Sequence, residues 1–560
     1  MSQQKTTISI IIKKRSKVFQ PSSVTKSETR NQGNDDWEGW AARQENLGEP
    51  PVLSFQTRSA GFGLPEHGGW GWKLSTAASD TERERVFLPR CPPFPSAITH
   101  LRVSPPTKKG KIKMQNDLFE TVPVHKAYFK LALPVVFGMV VSLIYNMVDT
   151  YFIAGTANTN LVAGVSIGAP VFTLMVALGD IFGLGGSSII SRLFGEKHDK
   201  DGKRISVFCF YGAFLCGILV ILIMMGFRQP ILHMLGADTD TIRYAFQYYT
   251  GIVLGSPFII FSLAPSNLLR TEGMANESMV GTVLGAVVNM ILDPIFISVL
   301  GLGAAGAAVA SVIGYVCTDV YFFVILLKKS KKLSVNPKGF YISEEELVQI
   351  FAIGIPASIT NLMQSIGIAL MNRMLLPYGN EKVAAMGIVM KVNMIAVLIL
   401  VGFAFGGQPL VGYNYGARNK KRVREILKFC YMFECGLAIV LAIVLSVSAR
   451  PMIHLFMANE EIVAAGTQML RFQQIGMPFV AIVLVTTCLC QSAGKAFGAF
   501  LLSVSRQGVI FAIVIFTAVH TVGYKGVIAS QAVSDFLTAV LAVVLFLKYL
   551  LMCDKEVIEV

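Results

Sequence analysis

The sequence predicts an all-α polytopic membrane protein of twelve transmembrane helices, built as two six-helix bundles related by a parallel repeat. Three observations predict it. Of 560 residues, 53% are hydrophobic and only 15% charged, whereas soluble domains carry roughly a quarter charged residues; a soluble enzyme is thereby excluded. Apolar runs long enough to cross a bilayer, about 20 residues each, occur twelve times. Landmarks of the first half also recur in the second at an almost constant offset.

The first 113 residues belong to neither half. They hold all four tryptophans (Trp37, Trp40, Trp70, Trp72) and 18 Lys/Arg against 10 Asp/Glu, so they supply +8 of the net charge of +14. They lack a sustained apolar period, and no apolar core of 7–15 residues follows a basic start as in a signal peptide. A regulatory domain and a disordered basic tail are two readings. A third is that the stretch is not natively translated: Lys108-Lys109-Gly110-Lys111 needs a purine-rich coding run just before Met114, as a bacterial ribosome-binding site would supply. On that reading Met114 is the native start. The remaining +6 is too sparse for a nucleic-acid surface, and no nucleic-acid partner is expected.

In chain order, the first six spans lie near 128–154, 161–190, 205–227, 243–268, 277–299 and 304–327. The second six lie near 347–376, 383–411, 427–449, 461–490, 497–522 and 526–551. Between them, 328–346 is the one long internal connection, with lysines at 328, 329, 331, 332 and 338. The expected divisions are therefore 1–113, a first bundle 114–327, a linker 328–346 and a second bundle 347–560. Alternate connections hold seventeen Lys/Arg against five in the opposite set. Because cytoplasmic loops carry the positive excess, both termini are expected in the cytoplasm.

The repeat is read from five separated points. Leu133-Pro134 recurs as Ile355-Pro356, Phe194-Gly195 as Tyr415-Gly416, and Gly255-Ser256-Pro257 as Gly476-Met477-Pro478. The Ile-Leu-His-Met run after Pro230 returns as Met-Ile-His-Leu after Pro451, and Gly306 returns as Gly526. Six is an even number, so both halves insert the same way up, with an axis along the membrane normal and a path between them.

Several chemistries are absent from the sequence. It has no phosphate loop of the form G-x-x-x-x-G-K-[ST] and no H-E-x-x-H. The G-x-G-x-x-G at 301–306 follows no strand, so its glycines are expected to make a tight turn rather than hold a dinucleotide. The cysteines, Cys488-x-Cys490 included, are expected to be small packing residues. Leu178-Gly179-Asp180 partly matches an intramembrane aspartyl protease motif but lacks its first glycine, so that enzyme is a remote alternative.

Ionisable residues inside a bilayer are costly and are functional candidates by default; here they are Asp149, Asp180, Asp293, Asp319, Glu434 and Asp535. At about 1.5 Å per residue, Asp149, Asn289, Asp293 and Ser311 fall in one layer roughly 8–14 Å below the outer surface. Asn289 and Asp293 are spaced i, i+4 and share a helix face. Pro294 has no N–H to return to Met290, which frees a carbonyl nearby. Hard oxygens in this number suit a small cation, or the two carboxylates share a proton. The repeat maps these four positions to Met371, Ile510, Val514 and Gln531, so the second half lacks the cluster. Asp180 fits gating, substrate contact or structural pairing. Lys391, deep in the eighth span, faces a wet cavity or a partner, or snorkels.

The chain from about 120 to 550 resembles the multidrug and toxic compound extrusion (MATE) family. The matching pieces are Leu133-Pro134, Val148-Asp149-Thr150, Gly185-Gly186-Ser187-Ser188, Leu193-Phe194-Gly195-Glu196, Asn289-x-x-x-Asp293-Pro294 and Gly303-x-x-Gly306-Ala307-Ala308-Val309-Ala310-Ser311. Its nearest look is to the bacterial branch with staphylococcal-type efflux proteins. The resemblance implies export of cationic amphipathic compounds, coupled to inward sodium or proton flow, by rocking of the two bundles. It implies no cofactor beyond the coupling ion. It also implies a cation site on Asp149, Asn289, Asp293 and, with Ser for the family's Thr, Ser311. Residues 347–376 lack the carboxylate some relatives carry there, which argues against a second coupling site. Asn146, Asn361 and Gln364 are expected in the substrate cleft, with Asp180 and Lys391 as further candidates for the cleft or its gating. The expected setting is the bacterial cytoplasmic membrane, as a monomer. A flippase for lipid-linked sugars is the alternative within the same superfamily, and a non-transport scaffold a third.

Overall fold

The computed structural model describes residues 117–555; the leader discussed above lies outside them. Among the described residues twelve helices are long and apolar enough to span a bilayer. They are α1 (Val124–Gly155), α2 (Thr159–Gly195), α3 (Asp199–Gly226), α4 (Ile242–Thr271), α5 (Ala275–Val299) and α6 (Gly303–Lys328), then α7 (Glu344–Tyr378), α8 (Asn380–Gly416), α9 (Lys420–Val447), α10 (Glu460–Ser492), α11 (Ala496–Val522) and α12 (Tyr524–Lys548). No strand occurs among the described residues. A closed set of helices is what a bilayer demands, since lipid offers no partner to a free backbone group.

Polar side chains satisfy the first turns of several helices. Asn158 caps α2 by accepting from Leu161 N at 3.1 Å, and Asn419 caps α9 by accepting from Arg422 N at 3.1 Å. Ser343 and Glu346 form a reciprocal capping box at the start of α7, satisfying two otherwise orphaned donors.

The duplication is visible in the backbone. Left-handed residues recur at matching places: Ala157 and Gly379, Lys197 and Arg418, Gly273 and Gly494, Gly301 and Gly523. The short helix Arg228–Met234 likewise returns as Ala449–Phe456. The 301–306 turn is as expected from sequence: Gly301 and Gly303 both have positive φ, and a Cβ on Gly306 would lie 2.6 Å from the Phe296 carbonyl oxygen. These glycines serve the backbone.

The apolar core divides with the repeat. One cluster is built mainly on the first bundle and reaches Phe403, Leu410, Tyr413, Ile426 and Leu489; a second lies wholly within 371–528. The linker is fastened to the first bundle. Glu272, just past α4, accepts from Ser330 Oγ at 2.6 Å, Lys331 N at 2.7 Å and Lys332 N at 3.2 Å. Lys332 Nζ lies 3.1 Å from Asp199, and Arg204 Nη2 lies 2.6 Å from Glu346 at the start of α7.

Contacts between bundles gather on one face, the one where α1 begins and α2 ends; we call it the terminal face. Antiparallel α2 and α7 meet at Ala177 with Ser358, Ile181 with Gly354 and Gly185 with Ile350. Antiparallel α1 and α8 meet at Tyr128 with Gly407, Ala132 with Gly406 and Val136 with Gly402. Further along, Gly195 is against Tyr413 and Gly416 against Arg192. Added side chains there would strike backbone, so glycine is what permits the approach. Hydrogen bonds cross the same seam: Tyr128 Oη donates to Phe403 O and to Glu434 Oε1, each at 3.1 Å, and Ser188 Oγ donates to Gln491 O.

Candidate functional site

The four residues expected to form a cation site come from three helices of the first bundle. Close packing of α5 on α6 brings them within reach: a Cβ on Gly314 would lie 3.2 Å from Asn289 Cβ. Across that contact Asn289 Nδ2 donates to Asp293 Oδ1 and to Ser311 Oγ, each at 3.3 Å. Asn289, Asp293 and Ser311 are 2%, 0% and 5% exposed, shielded from bulk solvent. After Asp293 the helix widens into a π-helical stretch, Pro294–Val299. Pro294 has no N–H for the ordinary ladder, and the wider turn accommodates its ring.

Asp149, on the α1 face turned toward the bundle interior, lies close enough to Asp293 for their charges to interact. Two tyrosines flank the pair, and a third lies against those two. Tyr145 and Tyr248 lie beside Asp149, Tyr248 also beside Asp293, and Tyr315 beside both tyrosines. Two of these carried a sequence signal: Tyr145 precedes Asp149 by four residues and Tyr315 follows Ser311 by four, one helical face in each case. Tyr248 is brought by tertiary packing of its ring on Gly168.

The decisive property is what the cluster leaves unmade. Asp149 Oδ1, Asn289 Oδ1 and Asp293 Oδ2 are buried with no hydrogen-bond partner among the described residues. Buried oxygens without donors are expensive, and a carboxylate pair doubly so. A small cation or a proton would satisfy them. Asp319, two turns from Ser311 on α6, is a further buried acid with both oxygens unpartnered.

The remaining expected residues sit along the space between the bundles. Beyond the seam, side chains on the same stripes of α1, α2, α7 and α8 become exposed. On α2 and α7 the paired numbers sum to 535 (177 with 358, 181 with 354, 185 with 350), which places Asn361 level with Leu174. Thr173, Leu174, Gln364 and Ser365 are exposed there. On α1 and α8 the sums are near 538 (132 with 406, 136 with 402), which places Lys391 level with Met147. Asn146, Met147, Lys391 and Met394 are all exposed, although Asn146 Nδ2 donates to its own helix at Ser142 O, 2.7 Å away. The geometry is a cleft closed at the terminal face and open toward the other. Near its floor, Asp180 of α2 has Asn361 of α7 and the Arg270 guanidinium of α4 against it.

Among the described residues the second bundle holds no matching acid cluster. Where Ser311 stands in the first half, Gln531 Nε2 donates to Asp535 Oδ1 at 3.2 Å, and Arg506 Nε lies 3.0 Å from the same oxygen. That ion pair escaped the sequence reading, which counted Asp535 but not Arg506 in the eleventh span. Cys488 and Cys490 are buried, free thiols, as expected of packing residues.

Two similar six-helix bundles, a one-sided cleft and an unsatisfied intramembrane cluster define a membrane transporter. The comparisons make it specific: the MatE family model matches residues 134–295 and again 356–517, the same fold unit twice at an offset of 222. The chain belongs to the MatE family. It is 32% identical over 427 residues to the multidrug export protein MepA of Staphylococcus aureus strain MSSA476, covering 76% of this chain and 94% of the relative. MepA of Staphylococcus saprophyticus is 29% identical over 444 residues, covering 79% and 98%. Among solved structures, one titled as the outward-facing conformation of a multidrug resistance MATE family transporter aligns with TM-score 0.75 and 24% identity over 78% of this chain and 98% of that one. The straight conformation of a MATE protein aligns with TM-score 0.75 at 25% identity, over 78% and 98%. This is a multi-pass membrane transporter and not an enzyme.

Proposed function

We propose that this chain exports cationic amphipathic compounds by antiport against sodium or protons, through alternating access of its two bundles. The observation that carries the proposal is the convergence of three unpartnered buried oxygens on Asp149, Asn289 and Asp293, beside a cleft open to one side. The positive-inside count supports a cytoplasmic terminal face with both termini there, in a bacterial cytoplasmic membrane. The cleft then opens outward. In this state a sodium ion or proton enters from outside and satisfies Asp149 and Asp293, with Asn289 and Ser311 completing its shell. Filling the cluster removes the penalty of closing it off from water. The outer cleft closes, the seam parts, and the ion leaves to the cytoplasm as a new substrate enters. The working unit is one chain, since cluster and cleft are complete within it.

The test is Asp149→Asn and Asp293→Asn, each assayed for drug accumulation in expressing cells and for level in the membrane. Export is expected to fall at least tenfold with unchanged protein level. Collapsing the sodium and proton gradients separately identifies the ion. Wild-type export in both variants refutes the site.

A further inference from the structure

Lys391 is a membrane-depth cation that the ion cluster does not use. It is eleven residues into α8 from Asn380, about 16 Å along the helix, too deep for a lysine stem to reach the helix end. An ammonium at that depth requires water or a partner. No ion pair or hydrogen bond holds it among the described residues, and it is exposed.

Its direction follows from its neighbours. Asn393, two residues on and so about 200° round the helix, accepts from Gln474 of α10 at 3.1 Å. Lys391 therefore points away from α10. Gly402, eleven residues and three turns further, is on the same face as Lys391 and packs on Val136 of α1. Lys391 thus continues the α8 stripe that closes on α1 at the terminal face, at a level where the two helices have separated. Across from it are Asn146 and Met147, which are uncharged. Asp149 is also near this level, but it is about 200° round α1 from Met147 and turned to the bundle interior.

We propose that Lys391 is a specificity-determining residue of the cleft: it pairs with an anionic group on the transported amphiphile, so that zwitterions carrying a carboxylate beside their ammonium group are favoured over the corresponding esters. The inference rests on the export reading above. An ion pair at 4 Å, screened between the water-like and surface-like limits, changes relative affinity by roughly tenfold or more.

The experiment uses everted membrane vesicles, the full chain, and rhodamine B with its ethyl ester, two dyes that differ in the free carboxylate. Lys391→Glu is expected to lower the ratio of acid to ester transport roughly tenfold. Lys391→Met should fall between, and Lys391→Arg should keep the wild-type ratio. A ratio unchanged in both Lys391→Glu and Lys391→Met overturns the assignment, since those variants also report on any folding failure through ester transport. Absence of energised transport of either dye by the unsubstituted protein overturns the export reading itself, and this proposal with it.

Discussion

Substituting Gly354 by alanine tests whether the seam between the bundles must close. The ideal Cβ at this position would lie 2.4 Å from Ile181 O, 2.6 Å from Ile181 Cα and 2.8 Å from its carbonyl carbon. All three are backbone atoms, so no rotamer change relieves the overlap. Ordinary contact begins near 3.4 Å, so α2 and α7 must separate by several tenths of an ångström to about one. Overpacking of this kind costs about 1–3 kcal/mol. Because the cost applies when the seam is shut, it shifts the equilibrium toward the state with the terminal face open, about 30-fold at 2 kcal/mol. The assay places a cysteine at Leu174, exposed in the cleft, and follows its labelling by an impermeant maleimide from the open side, together with drug export. Gly354→Ala should slow labelling and export at least tenfold. Gly226→Ala, whose Cβ meets nothing within 4 Å, should change neither. Unchanged labelling and export in Gly354→Ala would refute the reasoning, because the seam would then be wide enough for a side chain.

Other outcomes follow from the same geometry. Tyr128→Phe removes the donor to Glu434, leaving a buried carboxylate unsatisfied; thermal unfolding should show a loss of about 1–3 kcal/mol, partly recovered by adding Glu434→Gln. Arg506→Ala should cost about 3–5 kcal/mol by stranding Asp535, and Arg506→Met with Asp535→Leu should recover most of it in the same melt. Glu272→Ala should free the linker and expose Lys331 and Lys332 to trypsin, while Glu272→Gln should hold it. Burial raises the Glu272 pKa above its ordinary value, against the lowering effect of Ser330 and two backbone N–H groups. The folded state therefore binds this proton more tightly than the unfolded chain. The stability it contributes is full below the ordinary glutamate pKa and is lost as pH rises through the folded value. Glu272→Gln should remove that dependence, as thermal melts across pH 4–8 would show.

Much of the buried polar cluster was legible because its logic is local. Asn289 and Asp293 are one turn apart, and a proline follows. The depth of Asp149 and Ser311 could be counted from helix ends. The cleft residues were harder. Asn361, Gln364 and Lys391 could be placed on spans, but their exposure depended on where the bundles part. Arg506 stands as a lone charge in an apolar run, and its partner Asp535 is on another helix.

What the sequence determined by itself was the number of spans, the duplication and the spacing that sets Asn289 and Asp293 on one helix face. Length, charge bias and motif spacing are properties of the chain read along one dimension. Tertiary structure alone decided which helix faces meet: the glycine seam on one face, Tyr248 beside Asp149 and Asp293, the Arg506–Asp535 pair and the linker's tie to Glu272. The physical reason lies in the solvent. In water an amphipathic period marks the buried face of a helix. In lipid, inward and outward faces are both apolar, so hydrophobicity cannot tell them apart, and close packing of small residues makes the choice.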